Sequence, residues 1–177
     1  MAGDSAWTSV SMPYVSGQPG DAWGSEAAQH GGVGKQRLVE VAEVPAPTSV
    51  AEVLGLQAGQ PVVVRRRVML FDDQPVELVA SFYPSTIARG TRLAEVRKIR
   101  GGAVALLAEL GHRPRRVRED VTARLATADE RAELHLADSS CVLQLSRVLF
   151  DQDDVPVEAS VMTMIADGRR LRYELTP

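Results

Sequence analysis

Hydrophobic and polar positions along this chain change period several times. From Lys35 the residues Leu38, Val39, Val41 and Val44 read as a strand closed by Pro45 and Pro47. Ser49-Val-Ala-Glu52 has the spacing of a capping box and predicts a short helix through Val53 and Leu54, stopped at Gly55. Two apolar runs around Asp72-Asp73-Gln74 then predict a β-hairpin, Arg65 to Tyr83. Ser85 to Arg100 is irregular, and Val104, Leu107 and Leu110 lie at helical spacing before Gly111 and Pro114 end the helix. Arg115 to Leu125 alternates as a strand should. Thr127-Ala-Asp-Glu130 is a second capping box, for a helix through Leu134 and Leu136. A second hairpin follows from Arg147 to Met164, and Leu171 to Leu175 predicts a last strand after Asp167-Gly168.

The two hairpins are related. Arg67-Val-Met-Leu-Phe71 aligns with Arg147-Val-Leu-Phe150, an acidic turn follows each, and Pro75-Val-Glu77 aligns with Pro156-Val-Glu158. Two similar hairpins predict a pseudo-symmetric sheet with the long connection between them crossing over it. Strands outnumber helices, so the expected fold class is α+β, a mostly antiparallel sheet with helices packed against it.

The first 34 residues are rich in Gly, Ser and Ala and read as a tail or linker, with one short helix across Asp21 to His30. Residues 35–177 then form the domain. Trp7 and Trp23 stand out in such a stretch, either docked on the domain or contacting a partner chain.

Composition narrows the classes. A chain of 177 residues with 45% hydrophobic and 24% charged residues suits one globular domain. A net charge of -3 gives no basic nucleic-acid surface. Cys141 has no partner for an internal disulfide and reads as a buried strand residue, and three scattered histidines make no metal site. No signal peptide or membrane-length apolar run is present, so a cytoplasmic protein without cofactor is expected.

Charges on otherwise apolar strands carry the candidate chemistry. Arg65 and Arg67 share one strand face, and Glu77, Val79, Ser81 and Tyr83 share a face of the returning strand. Glu158 and Ser160 share a face with Met162 and Met164, Arg147 lies with Leu143, Leu145 and Leu149, and Glu119 falls by parity on an apolar face. Ionised groups there need partners or a ligand. Guanidinium suits carboxylate or phosphate and glutamate suits hydroxyl or amine donors, so a pocket for a small polar metabolite is one reading. Internal Arg–Glu pairs tying the hairpins together are the other.

The run VVVRRRVMLFDDQPVELVASFYP, Glu119 within REDVTARLA, and LSRVLFDQDDVPVEASVMTMIADGRRLRY together resemble the UTRA domain, the effector-binding domain of GntR-type, HutC-subfamily transcription regulators. The resemblance covers Lys35 to Glu174. It implies a chorismate-lyase-like fold, a small-molecule effector pocket and a homodimer. It places ligand-binding residues at Arg65 and Arg67, at the hairpin glutamates Glu77 and Glu158, at Glu119 and at Ser81; Arg147 joins them from its strand position. Full-length members carry an N-terminal winged helix-turn-helix, and 34 residues are too few for one. DNA contact is therefore expected only through a domain that this chain lacks, and Met162 and Met164 stand where aromatic residues are common in the family. Three functions follow: an effector-sensing domain, an enzyme of chorismate-lyase-like fold using arginines and a general-acid glutamate, or a structural dimerisation module.

Overall fold

The computed structural model describes residues 7–16 and 20–174. Its elements, in order, are strand β1 (Trp7–Ser9), helices α1 (Met12–Val15) and α2 (Ala22–Gln29), β2 (Gly34–Pro45), α3 (Thr48–Leu54), β3 (Pro61–Phe71), β4 (Gln74–Pro84), α4 (Ser85–Ala88), α5 (Ala103–Glu109), β5 (Pro114–Leu125), α6 (Ala128–Leu134), β6 (Cys141–Asp151), β7 (Pro156–Ile165) and β8 (Arg169–Leu171). Six strands form one antiparallel sheet in the order β2-β3-β4-β7-β6-β5, and β1 pairs with β8 in a separate parallel ladder. The fold is α+β, as the pattern of runs and breaks predicts.

The strand order reads the same from either edge, each half being a strand, a helix and a hairpin. Val79 pairs with Met162 and Ser81 with Ser160, so a pseudo-two-fold axis through the Ala80–Val161 pair exchanges β4 with β7. The same axis relates Arg67, opposite Val79, to Arg147, opposite Ser160. It also relates Glu77 to Glu158 and Leu38 to Glu119. The hairpin alignment drawn from the sequence is therefore the alignment of the two halves in space.

Local chemistry explains the joints. Asp72 and Asp73 both adopt positive φ, 47° and 65°, which gives the first hairpin a two-residue turn matched to strand twist. At the second turn the Asp151 carboxylate accepts from the N–H groups of Asp153 and Val155, each at 3.0 Å. The Thr127–Glu130 capping box is present at α6. Ser49, in contrast, caps nothing: α3 begins at Thr48 behind Pro47, which lies at φ -54° and makes no side-chain cap, so Ser49 falls inside the first turn. Gly55 ends α3 at φ 65°, the left-handed conformation a glycine adopts without strain.

Both faces of the sheet are covered. Even-numbered residues of β3 and β4, among them Val62, Val64 and Phe82, pack on Val50, Ala51 and Leu54 of α3, while Leu134 of α6 packs on Val142. The opposite face meets the long connection, where the supposedly irregular stretch holds α4 and a 3-10 turn at Arg92–Ala94; Ala88, Leu93, Leu106 and Leu107 pack there with Tyr83, Val63 and Leu149.

The N-terminal stretch also packs on that second face, although its composition suits a linker. Asp21 caps α2 by accepting from Gly24 N–H at 3.0 Å, and Trp23 and Ala27 become buried. A Cβ on Gly34 would lie 2.8 Å from Ala27 and 2.9 Å from Trp23, so only glycine lets β2 pass this close to α2. Trp7 stacks on Trp23 and His30 and meets Phe71 edge-on, the docked arrangement of the two considered for the tryptophans.

Two further expectations are corrected. The last strand is Arg169–Leu171 rather than Leu171–Leu175, because its ladder partner is the short β1; the expected end at Leu175 lies outside the described residues. Cys141 is exposed, since it is the first residue of β6 at the sheet margin.

Candidate functional site

Odd-numbered residues of β3 and β4 and their counterparts on β6 and β7 point away from α3 and α6. Between this sheet face, the N-terminal segment and the 98–105 part of the long connection lies a cavity of about 620 Å³. That volume suits a metabolite-sized ligand.

Arg65, Arg67, Glu77, Arg147 and Glu158 all line the cavity. Ser81 and Glu119 do not; each stands behind a residue that does. Ser81 receives a hydrogen bond from Arg67 Nη2 at 3.0 Å and lies 2.8 Å from Ser160 Oγ, and Ser160 donates to Glu158 Oε1 at 2.6 Å. A relay of two hydroxyls thus joins Arg67 to Glu158. Each end keeps one buried polar atom without a protein partner among the described residues: Arg67 Nε and Glu158 Oε2. Glu158 itself is only 7% exposed.

Glu119 on the edge strand β5 pairs with Arg147 Nε at 2.5 Å and accepts from Ser11 Oγ at 2.8 Å. Burial alone would raise its carboxyl, but the Arg147 charge and these hydrogen bonds carry it below the usual carboxylate range. The anomaly in the β5 alternation is this buried pair.

Arg65 is spent differently. Its Nη1 donates to the carbonyls of Leu93 and Glu95, both at 2.8 Å, and its Nη2 to Arg97 carbonyl at 2.6 Å. This guanidinium, 4% exposed, staples the long connection onto the sheet. Desolvation lowers its pKa.

The remaining wall holds residues that strand parity could not reveal. Glu26 of α2 accepts from Trp7 Nε1 at 2.5 Å, Ser9 Oγ at 2.6 Å and Tyr14 Oη at 2.7 Å, which knots the N-terminal segment around one buried carboxylate. Arg169 of β8 approaches Glu26 at 3.7 Å and Glu77 at 3.9 Å, with its own side chain 4% exposed. Burial raises Glu77 to about 6 against the opposing Arg169 charge, and Glu26 adds to the rise. Burial and Glu26 likewise push the Tyr14 hydroxyl above its ordinary range, and burial and Glu158 do so for Tyr83. The signal in the sequence was the pair of tryptophans in a glycine-rich stretch; nothing pointed to Arg169.

The lining mixes two kinds of surface: Trp23, Met69, Val79, Leu145, Met162 and Met164 form an apolar cluster, with Glu77 between Met69 and Met164, while Arg67, Ser160 and Glu158 share the relay. Among the described residues no group of His, Cys, Asp and Glu could hold a metal ion, and no helix is long and apolar enough to cross a membrane.

The family model for the UTRA domain matches residues 29–168. The uncharacterized HTH-type transcriptional regulator RB1450 of Rhizobium meliloti is 31% identical over 150 residues, 81% of this chain and 61% of that protein. The uncharacterized HTH-type transcriptional regulator SCO4628 of Streptomyces coelicolor is 31% identical over 124 residues, 68% of this chain and 46% of that protein. The chain thus spans about half to three-fifths of these relatives. Among solved structures, the effector domain of PhnF from Mycobacterium smegmatis superposes with a TM-score of 0.74 at 25% identity, covering 90% of this chain and 99% of that one. PhnF itself superposes at 0.77 with 24% identity, covering 89% and 69%. With a family match across most of its length, this chain belongs to the UTRA domain family.

Proposed function

We propose that this chain is the effector-sensing part of a GntR/HutC-type transcription regulator. A small polar or anionic metabolite occupies the cavity and alters DNA binding by a winged helix-turn-helix domain that these residues do not include. The observation that carries this reading is the cavity floor, where Arg67 and Glu158 each hold a buried polar atom with no protein partner. Ion pairs made only to hold hairpins together would satisfy both atoms.

Arg67, Arg147, Glu77 and Glu158 are the residues proposed to meet the ligand. Ser81 and Glu119 position them, and Arg65 acts through the connection it anchors. The working unit of this proposal includes the segment from Trp7 to Val33 as well as the domain from Gly34 onward, since Trp23 and Glu26 contribute to the cavity wall. The protein is proposed to act in the cytoplasm as a homodimer and to bind rather than transform its ligand; the matched relatives are transcriptional regulators.

A thermal-shift screen of the chain against phosphorylated sugars, aromatic acids and amino-acid metabolites tests the sensing function. Stabilisation of several degrees by one chemical class is the expected result. A flat response would favour the structural module. Light scattering at several concentrations checks the dimer. A gel shift with this chain alone should show no sequence-selective complex.

A further inference from the structure

The effector reading leaves the chemistry of the ligand open, and the arrangement of satisfied and unsatisfied groups narrows it. Arg67 and Glu158 line the same cavity yet form no ion pair. Three hydrogen bonds through Ser81 and Ser160 separate them, at 3.0, 2.8 and 2.6 Å. The atoms left over are of opposite kinds: Arg67 Nε can only donate, and Glu158 Oε2, on a carboxylate, accepts. A complementary ligand must present an acceptor to one and a donor to the other. An anion alone satisfies Arg67 and leaves a buried carboxylate oxygen bare; an amine alone does the reverse.

Small molecules that carry an ammonium and a carboxylate on one carbon offer both a charged donor and a charged acceptor. Beyond the relay, Met69, Val79, Leu145, Met162 and Met164 meet Trp23 in one apolar stretch of wall, with Glu77 set between Met69 and Met164 and facing Arg169, and thioethers adapt to apolar or aromatic groups of irregular shape. Sugar hydroxyls placed against this surface would lose their hydrogen bonds to water without replacement.

We propose that the cavity takes a zwitterionic ligand of the α-amino-acid type with an apolar side chain. Its carboxylate meets Arg67, its ammonium meets Glu158, and its side chain lies over the methionines and Trp23. This deepens the effector reading and rests on it.

The test measures binding of four probes to the full chain by calorimetry and thermal shift. L-Phenylalanine carries all three features, phenylacetate lacks the ammonium, 2-phenylethylamine lacks the carboxylate, and glucose 6-phosphate has an anion and hydroxyls without an apolar body. L-Phenylalanine should bind at least about tenfold more tightly than each of the others, the factor that losing one charge-assisted hydrogen bond in a buried site brings. Glu158→Gln should remove most of that advantage over phenylacetate, and tryptophan emission of the unliganded variant checks that it is folded. Equal binding of phenylacetate and L-phenylalanine overturns the zwitterion. So does tighter binding of glucose 6-phosphate, and either outcome leaves effector sensing standing. Silence toward all four overturns the zwitterion, and effector sensing falls with it only if the wider metabolite screen is also flat.

Discussion

Ser81 and Ser160 face each other across the β4–β7 pairing, one residue from the pseudo-two-fold axis, with their hydroxyl oxygens 2.8 Å apart, and they hold Arg67 and Glu158 in one network without letting them touch. The axis does not map one serine onto the other. It maps Ser81 onto Met162 and Val79 onto Ser160, so two nearly equivalent halves contribute unlike groups to the same cavity. A symmetric frame therefore carries an asymmetric lining.

Ser160→Ala breaks the relay at its centre. Two hydrogen bonds are lost and Ser81 keeps Arg67, so the fold should survive at a cost of about 1–3 kcal/mol by urea denaturation. Effector affinity should fall in the same variant, because Glu158 loses the donor that orients it. Unchanged affinity would show that the relay does not position the site.

The arginines of β3 should separate. Arg65→Ala frees three backbone carbonyls of the connection and should destabilise by about 2–4 kcal/mol. Hydrogen exchange should show residues 92–97 losing protection. Arg67→Ala should leave stability within about 1 kcal/mol and abolish ligand-dependent stabilisation.

Removing one partner of the buried Arg147–Glu119 pair strands the other. Glu119→Leu or Arg147→Met alone should cost about 3–5 kcal/mol, and the double variant should recover much of the loss. Denaturation of all four proteins completes the cycle; simple additivity of the two losses would contradict the pairing.

Glu77 has its folded pKa raised to about 6 from an ordinary 4.5, chiefly by burial. The folded state therefore binds the proton more tightly than the unfolded chain. The associated stabilisation is fully present below about pH 4.5 and is lost as pH rises through about 6, amounting to about 2 kcal/mol by linkage. In Glu77→Gln this loss should vanish, so the stability difference between variant and parent should move in the variant's favour from pH 4.5 to 7.5. A difference independent of pH would refute the assignment.

The sheet was legible because its strands alternate and its hairpins repeat, and register follows from hydrophobic parity. Parity also grouped the charges within each strand and marked Glu119 as anomalous, while pairing of the strands brings Glu77, Glu158, Arg67 and Arg147 to one face. It could not separate Arg65 from Arg67, which lie two residues apart on the same face; only the path of the 92–97 segment makes one a staple and the other a wall of the cavity. Glu26 of α2 and Arg169 of β8 escaped notice because they come together from opposite ends of the chain, Glu26 lining the cavity and Arg169 standing beside it and Glu77. The serine of the missing α3 cap shows the complementary limit, since the helix takes Pro47 rather than Ser49 as its N-cap and starts two residues earlier.

The knot of Trp7, Ser9 and Tyr14 around Glu26 bears on rates as well as equilibria. Trp7, Ser9 and Tyr14 can part from α2 only by breaking three short hydrogen bonds to one buried carboxylate. Loosening of this part of the wall should therefore be slow, and amide hydrogen exchange across residues 7–15 would report its pace directly.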